Sequence, residues 1–328
     1  MFPTTNKINL LNFNKFTNND YMNKQVKGYI AAIVAAATYG MNPLFALPLY
    51  QGGMDTFSVL FFRYLVALPI ICIMLHVRGR GINIGGKNIL LSLVMGLLMA
   101  TSSISLFASY LYMDAGIAST LLFIYPVIVA LIMALFFKER ITLQLALCII
   151  LTLMGIGLLY KGGNGVTLDT TGILLVMLSS LTYAIYIVAI NKSNLRNIAT
   201  LQVTFYVLLI GIVVFFIGTG CGRNITLPSQ WWHWLCVISL AIFPTVISFL
   251  CTTVAIQNIG STPTAILGAL EPVTALIFGV TLFGEILTTR DLLGIILIIV
   301  AVTIVVAGSH ITRPLTHIRK LFPRIKRH

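Results

Sequence analysis

Ten apolar stretches of roughly 17 to 26 residues, nearly free of charge, alternate with short polar connectors through this sequence. At 1.5 Å per residue, each is about long enough to cross a ~30 Å hydrocarbon layer as a helix. They fall at Gly28 to Leu49, Phe57 to Val77, Ile89 to Met113, Ile117 to Phe137, Thr142 to Tyr160, Thr170 to Ile190, Thr200 to Ile217, Trp231 to Ile256, Thr262 to Phe283 and Leu292 to Gly308. The expected class is therefore an all-α integral membrane protein with ten transmembrane helices.

The polar positions inside those stretches repeat. Pro126 to Glu139 and Pro272 to Glu285 lie 146 residues apart, each opened by Pro-Val and closed by Glu thirteen residues on. Earlier in each half the offset is 144, pairing Gly28 with Gly172, Thr38-Tyr39 with Thr182-Tyr183, and Thr56 with Thr200. Five helices are thus written twice, and an odd number per copy forces the second copy to enter the membrane in the opposite sense. Inverted repeats of this kind are a common basis for solute transport. The expected units are a polar tail (1–27), a first repeat (28–163), a second repeat (164–310) and a basic tail (311–328).

Composition agrees: 58% of the 328 residues are apolar and 9% charged, with mean hydropathy +0.99, far from the mix of a soluble domain. The formal charge of +13 follows from where the basic residues sit. Connectors on one side of the layer, with both tails, hold seventeen Lys and Arg, from Lys7 through Arg327; the other side holds Lys161, Arg223 and Arg290. Basic connectors stay cytoplasmic, which puts both termini inside a cytoplasmic (inner) membrane and requires an even number of spans. The tail from Arg313 suits anionic lipid headgroups; it lacks the interleaved aromatics of a nucleic-acid surface, so no nucleic-acid partner is expected. The first 27 residues lack the short apolar core of a secretory signal. Five cysteines give neither a disulfide framework nor a metal spacing.

Several polar residues fall at membrane depth. Glu271 sits about ten residues from either end of its stretch, where a carboxylate costs several kcal/mol and normally faces a bundle interior or wet cavity. Satisfying freed backbone, lining a cavity and coupling protons are its three candidate roles. Arg63 lies ~12 Å from the outer end of its helix, so it can reach the depth of Glu271. It can pair with that carboxylate or receive a substrate carboxylate with its fork of donors. The 144 offset puts Val207 opposite Arg63, so that charge is specific to one half.

Pro126 and Pro272 each remove a backbone hydrogen bond and free a carbonyl one turn earlier, at Leu122 and Gly268. They are candidate hinges or kinks, and Pro43 and Pro244 would bend neighbouring helices similarly. Ser102, Ser105 and Ser109, like Thr245, Ser248 and Thr252, follow the spacing i, i+3, i+7 that places each trio on one face. Such a face can wet a pore or form the close contact between membrane helices. Tyr39, Asn42, Tyr125, Tyr183 and Tyr186 offer aromatic faces and polar tips suited to amphipathic solutes. Trp231, Trp232 and Trp234 read as an anchor at headgroup depth.

The two Pro-Val…Glu blocks, Arg63, the Gly28 and Gly172 openings and the ten-stretch layout together resemble the EamA-like members of the drug/metabolite transporter superfamily, from Gly28 to about Gly308. The resemblance implies two inverted five-helix repeats around a central cavity lined by the first four helices of each half, and export of small metabolites. An amino acid or related amphiphile is the expected substrate; sugars, nucleotide sugars and organic cations are alternatives. The multidrug-cation branch relies on an acid in the first helix, and none occurs from Gly28 to Leu49. Expected partners are the lipid bilayer, a small-molecule substrate and, as a candidate coupling ion, protons; no cofactor or metal is expected. With no phosphate-binding Gly-rich loop and every histidine at a helix end or in the tail, an enzyme is not expected. A non-transporting membrane scaffold is the remaining rival, and it would tolerate replacement of Arg63 and Glu271.

Overall fold

The computed structural model describes residues 24–137, 169–259 and most of 267–304, with scattered positions between 147 and 158. The described residues form helices joined by turns and contain no strand. Among the described residues seven helices are long and apolar enough to cross a membrane: α1 (Lys24–Gln51), α2 (Thr56–Val77), α3 (Gly86–Ser109), α4 (Ala115–Phe136), α5 (Thr170–Ile190), α6 (Thr200–Gly218) and α7 (Trp231–Thr252). Two shorter apolar helices follow, α8 (Leu270–Phe283) and α9 (Leu292–Ala301). The stretch expected at Thr142 to Tyr160, the closing residues Glu139 and Glu285, and both tails beyond residues 24 and 304 lie wholly or largely outside the described residues.

Helix starts are set locally. Asp55 caps α2, its Oδ2 accepting from the Phe57 and Ser58 amides at 3.0 and 3.3 Å. Asp169 caps α5 by accepting from the Thr171 amide at 2.7 Å. Both are acids in an acid-poor chain, placed where the orphan amides of a helix N-terminus need acceptors. α3 stops at Ser109, four residues before the sequence suggested, because residues 110–113 turn into the start of α4.

The described spans pack by an exchange rule. α1 rests on α7 and α8, and its counterpart α5 rests on α3 and α4; α2 faces α6, and α4 faces α8. Among the described residues each of α1 to α8 thus finds its main partner in the other half, and these contacts come in mirrored pairs. Hydrogen bonds repeat the rule. Ser102 Oγ of α3 donates to the Ser179 carbonyl of α5 at 3.1 Å, and Ser248 Oγ of α7 donates to the Ala35 carbonyl of α1 at 3.0 Å. These are the same bond under the 146 and 144 offsets. Thr38 and Thr182 match as well, each bonding carbonyls three and four residues back in its own helix.

Close approach relies on missing side chains. A Cβ on Gly96 would lie 1.6 Å from Ile210, and one on Gly40 would lie 2.5 Å from the Glu271 carbonyl oxygen. Small residues at such crossings let helices in lipid gain contact where no hydrophobic force drives them together. Outward positions such as Ile73, Leu174 and Leu181 stay exposed and apolar, as a lipid face requires.

Candidate functional site

Four prolines organise the middle of the bundle. Each removes the amide that would have bonded the carbonyl four residues earlier, and each freed carbonyl finds another donor. Pro43 frees Tyr39 O, which accepts from Asn42 Nδ2 at 2.9 Å. Pro126 frees Leu122 O, which accepts from Ser180 Oγ across to α5 at 3.2 Å. Pro244 frees Leu240 O, which accepts from Thr245 Oγ1 at 3.0 Å. Pro272 frees Gly268 O, which accepts from the Glu271 amide at 2.9 Å. α1 turns at Gly40 and Met41, α4 turns at Phe123 and Ile124, and α7 passes through a π-helical turn at Ile242–Ile247. Asn42, Thr245 and Glu271 each donate to a carbonyl that a proline leaves without its usual helical partner.

Arg63 is placed through one of these turns. Its side chain is buried, Nε donates to Thr245 Oγ1 at 2.9 Å, and the guanidinium lies 5.3 Å from the centre of the Phe107 ring. A stacked, hydrogen-bonded arginine is a lower-cost buried cation than a bare one. Tyr50 steadies the other side of Phe107 by donating to its carbonyl at 3.0 Å.

Glu271 begins α8 against the α1 break, its carbonyl oxygen above Gly40. Among the described residues Arg63 and Glu271 form no ion pair; the guanidinium is held instead at Thr245 of α7 and Phe107 of α3.

The remaining candidates form an aromatic group. Tyr125 and Tyr183 meet edge to face at 4.8 Å between ring centres, and Tyr183 stacks on Tyr186 at 6.0 Å. Tyr39, Tyr125, Tyr183, Tyr186 and Glu271 keep partial exposure, whereas their chain neighbours Thr38, Gly40, Ile124, Pro126, Thr182, Ala184 and Pro272 are buried. Asn42 is buried, and its Oδ1 has no hydrogen-bond partner among the described residues.

Ser102 and Ser248 instead join the two helix seams. Ser105 is buried on α3, and Ser109 Oγ donates to Leu106 O at 2.6 Å. The sequence reading missed Tyr110, Phe107 and Ser179. Only Ser179 carried a usable signal, since the 144 and 146 offsets map its bond with Ser102 onto Ala35 and Ser248. Three positions gather elsewhere: His233, at the start of α7, is buried beside Gly52, with Ser229 Oγ 3.2 Å from its Nδ1. Among the tryptophans, Trp231 is exposed and Trp234 meets Phe62 edge to face. No group of three or more metal-ligating side chains occurs among the described residues.

A family model described as the EamA-like transporter family matches residues 26–161 and again 170–307. Among curated relatives, an uncharacterized transporter of Archaeoglobus fulgidus is 27% identical over 286 residues, covering 84% of this chain and 95% of that protein. The uncharacterized transporter YdfC of Bacillus subtilis is 28% identical over 186 residues, covering 55% of this chain and 59% of that protein. A solved crystal structure aligns with a TM-score of 0.62 at 16% identity over 90% of this chain and 99% of the other, a likeness of fold. With the family model matched twice across most of its length, the chain belongs to the EamA-like transporter family and is a multi-pass membrane protein.

Proposed function

We propose that this family member is a secondary transporter of ten helices in two inverted five-helix repeats, exporting a small metabolite by alternating access around the space bordered by Glu271 and the tyrosines. Both termini lie on the cytoplasmic side of the cytoplasmic (inner) membrane. The substrate is an amino acid or a related amphiphile, with Arg63 and Glu271 as its two charged contacts and Tyr39, Asn42, Tyr125, Tyr183 and Tyr186 as the lining.

The observation that carries this reading is the exchange packing around broken helices. Each half's first helix leans on the third and fourth helices of the other half, and interruptions occur at Pro43, Pro126 and Pro244. Halves that pack mainly on each other can rock against one another while the residues at the breaks stay near a common centre. Two unpaired opposite charges among tyrosines suit a solute carrying both signs and an apolar body better than a sugar.

The test is uptake and efflux of labelled amino acids, sugars and organic cations in liposomes, with and without a pH gradient. The intact protein is compared with Arg63→Ala and Glu271→Gln. Amino-acid flux that falls at least tenfold in either variant is the expected result; unchanged flux in both removes these residues from the site. Dependence of flux on the pH gradient would make protons the coupling ion.

A further inference from the structure

We infer that Thr245 is a positioning residue for anion recognition: its hydroxyl holds Arg63 by Nε and leaves the two Nη atoms as a fork for the carboxylate of the solute. The inference rests on the transporter reading above and adds which atoms of Arg63 meet the solute and which residue fixes them.

The direction of each bond follows from Pro244. Because that position has no amide, the Leu240 carbonyl takes its proton from the Thr245 hydroxyl, at 3.0 Å. A threonine hydroxyl has one proton and two lone pairs, so toward Arg63 it can only accept. It does so from Nε at 2.9 Å. Both residues are buried, and the Phe107 ring, its centre 5.3 Å from the guanidinium carbon, covers one face of the cation.

With Nε taken, the edge that remains carries both Nη atoms, whose spacing matches the two oxygens of a carboxylate. These nitrogens have no acceptor among the described residues. Nor are they sealed, since the buried side-chain N and O atoms left without a partner among those residues are Asn42 Oδ1 and Ser92 Oγ. An open, unbonded edge on an otherwise buried arginine is a place where a solute can bind. Among the described residues no carboxylate pairs with the guanidinium either. A buried cation whose acceptor is a neutral hydroxyl is strongly unfavourable by itself, and an anion brought by the solute offsets that cost.

The other half supplies the control. The repeat offsets place Val207 at the position of Arg63 and Met99 at that of Thr245, and both are buried in one apolar cluster. Arginine and hydroxyl are present together in one half and missing together in the other, as expected of two residues that act as one.

The matched probes are 3-phenylpropanoate and 3-phenylpropanamide, which share a ring and a spacer and differ in the charge of the end group. Binding to the purified full-length chain in detergent is measured by titration calorimetry at neutral pH. The acid is expected to bind about tenfold or more tightly than the amide. Thr245→Val keeps the shape of the side chain and removes the acceptor, so it should cut the preference for the acid about fivefold or more. Thr245→Ser, which keeps the hydroxyl, should retain that preference to within about twofold. Arg63→Lys keeps the charge and loses the fork, and should lower the preference about fivefold or more. Should Thr245→Val not fold, Thr245→Ala and Arg63→Lys give the same readout. A merely structural threonine would weaken both probes together and leave their ratio unchanged, and that result overturns the inference. Equal binding of the two probes by the intact protein, or binding of neither, overturns it as well. Liposome flux separates the two readings: preference for the acid without flux sinks transport alone, and acid flux that Thr245→Val leaves unchanged sinks the positioning role alone.

Discussion

The two halves of the chain build the same corner of the bundle from different chemistry. One corner holds Tyr39 and Asn42 on either side of Gly40 of α1, which lies against the carbonyl of Glu271 of α8, together with Arg63 bonded to Thr245. The repeat offsets map these onto Tyr183 and Tyr186 of α5, Tyr125 of α4, Val207 and Met99. There Val207 and Met99 are buried in an apolar cluster with Met95, Leu195 and Val203, against Tyr183, Tyr186 and Phe249. The backbone arrangement serves equally well with a charge or without one. Charges confined to one corner are thus not required by the packing.

Carrying Arg63 across to the apolar corner is the severest way to break this comparison. Val207→Arg would bury a cation among methionines and aliphatic side chains with neither a Thr245 nor a Phe107 to meet it, a cost of about 3–5 kcal/mol for an uncompensated buried charge. Loss of the monodisperse peak on size exclusion in detergent is the expected outcome; a stable variant would mean that this corner is wet.

A smaller effect comes from the α1 break. Gly40→Ala places a methyl group 2.5 Å from the Glu271 backbone oxygen, which neither helix backbone can easily avoid, so a loss of about 1–3 kcal/mol is expected. The reverse change at the equivalent position, Ala184→Gly, should cost about 1 kcal/mol from helix propensity. Thermal unfolding of the two variants measures the difference, and equal shifts would mean that the corners are equally tight.

Finer still are the seams. Ser102→Ala and Ser248→Ala each remove a bond to a carbonyl of the other half, about 1 kcal/mol apiece. Ser102 should lose more, because it also faces Ser179 Oγ at 3.0 Å while Ser248 meets Ala35. Their effects should add in the double variant, as expected for distant sites. Thr38→Val and Thr182→Val should change the melting temperature least, by the equivalent of about 0.5 kcal/mol or less, since both hydroxyls bond only their own helix. A large loss at either would reveal a second partner.

Span positions were legible because apolar length is a local property: Thr56, Thr170, Thr200 and Trp231 start helices within a residue or so of the sequence expectation. The interruptions were legible for the same reason, since a proline frees a carbonyl wherever it stands. What answered each carbonyl was not. Asn42 and Thr245 act within their own turns, but Ser180 reaches Leu122 from another helix, and no local rule names it. Arg63 and Glu271 stood out as charges at membrane depth; their separation did not, because it depends on Phe107 and Thr245 coming from two other helices.

The order of residues alone set the membrane class, the twofold repeat, the proline breaks and the two intramembrane charges, since each follows from hydropathy, spacing or the chemistry of one side chain. Which helix of one half would meet which of the other, and so which hydroxyl and which ring would hold Arg63, emerged from packing between segments some 60 to 230 residues apart, where glycines and serines permit close approach. Contacts over such separations depend on the shapes of both partners at once, and a linear pattern encodes only one partner at a time.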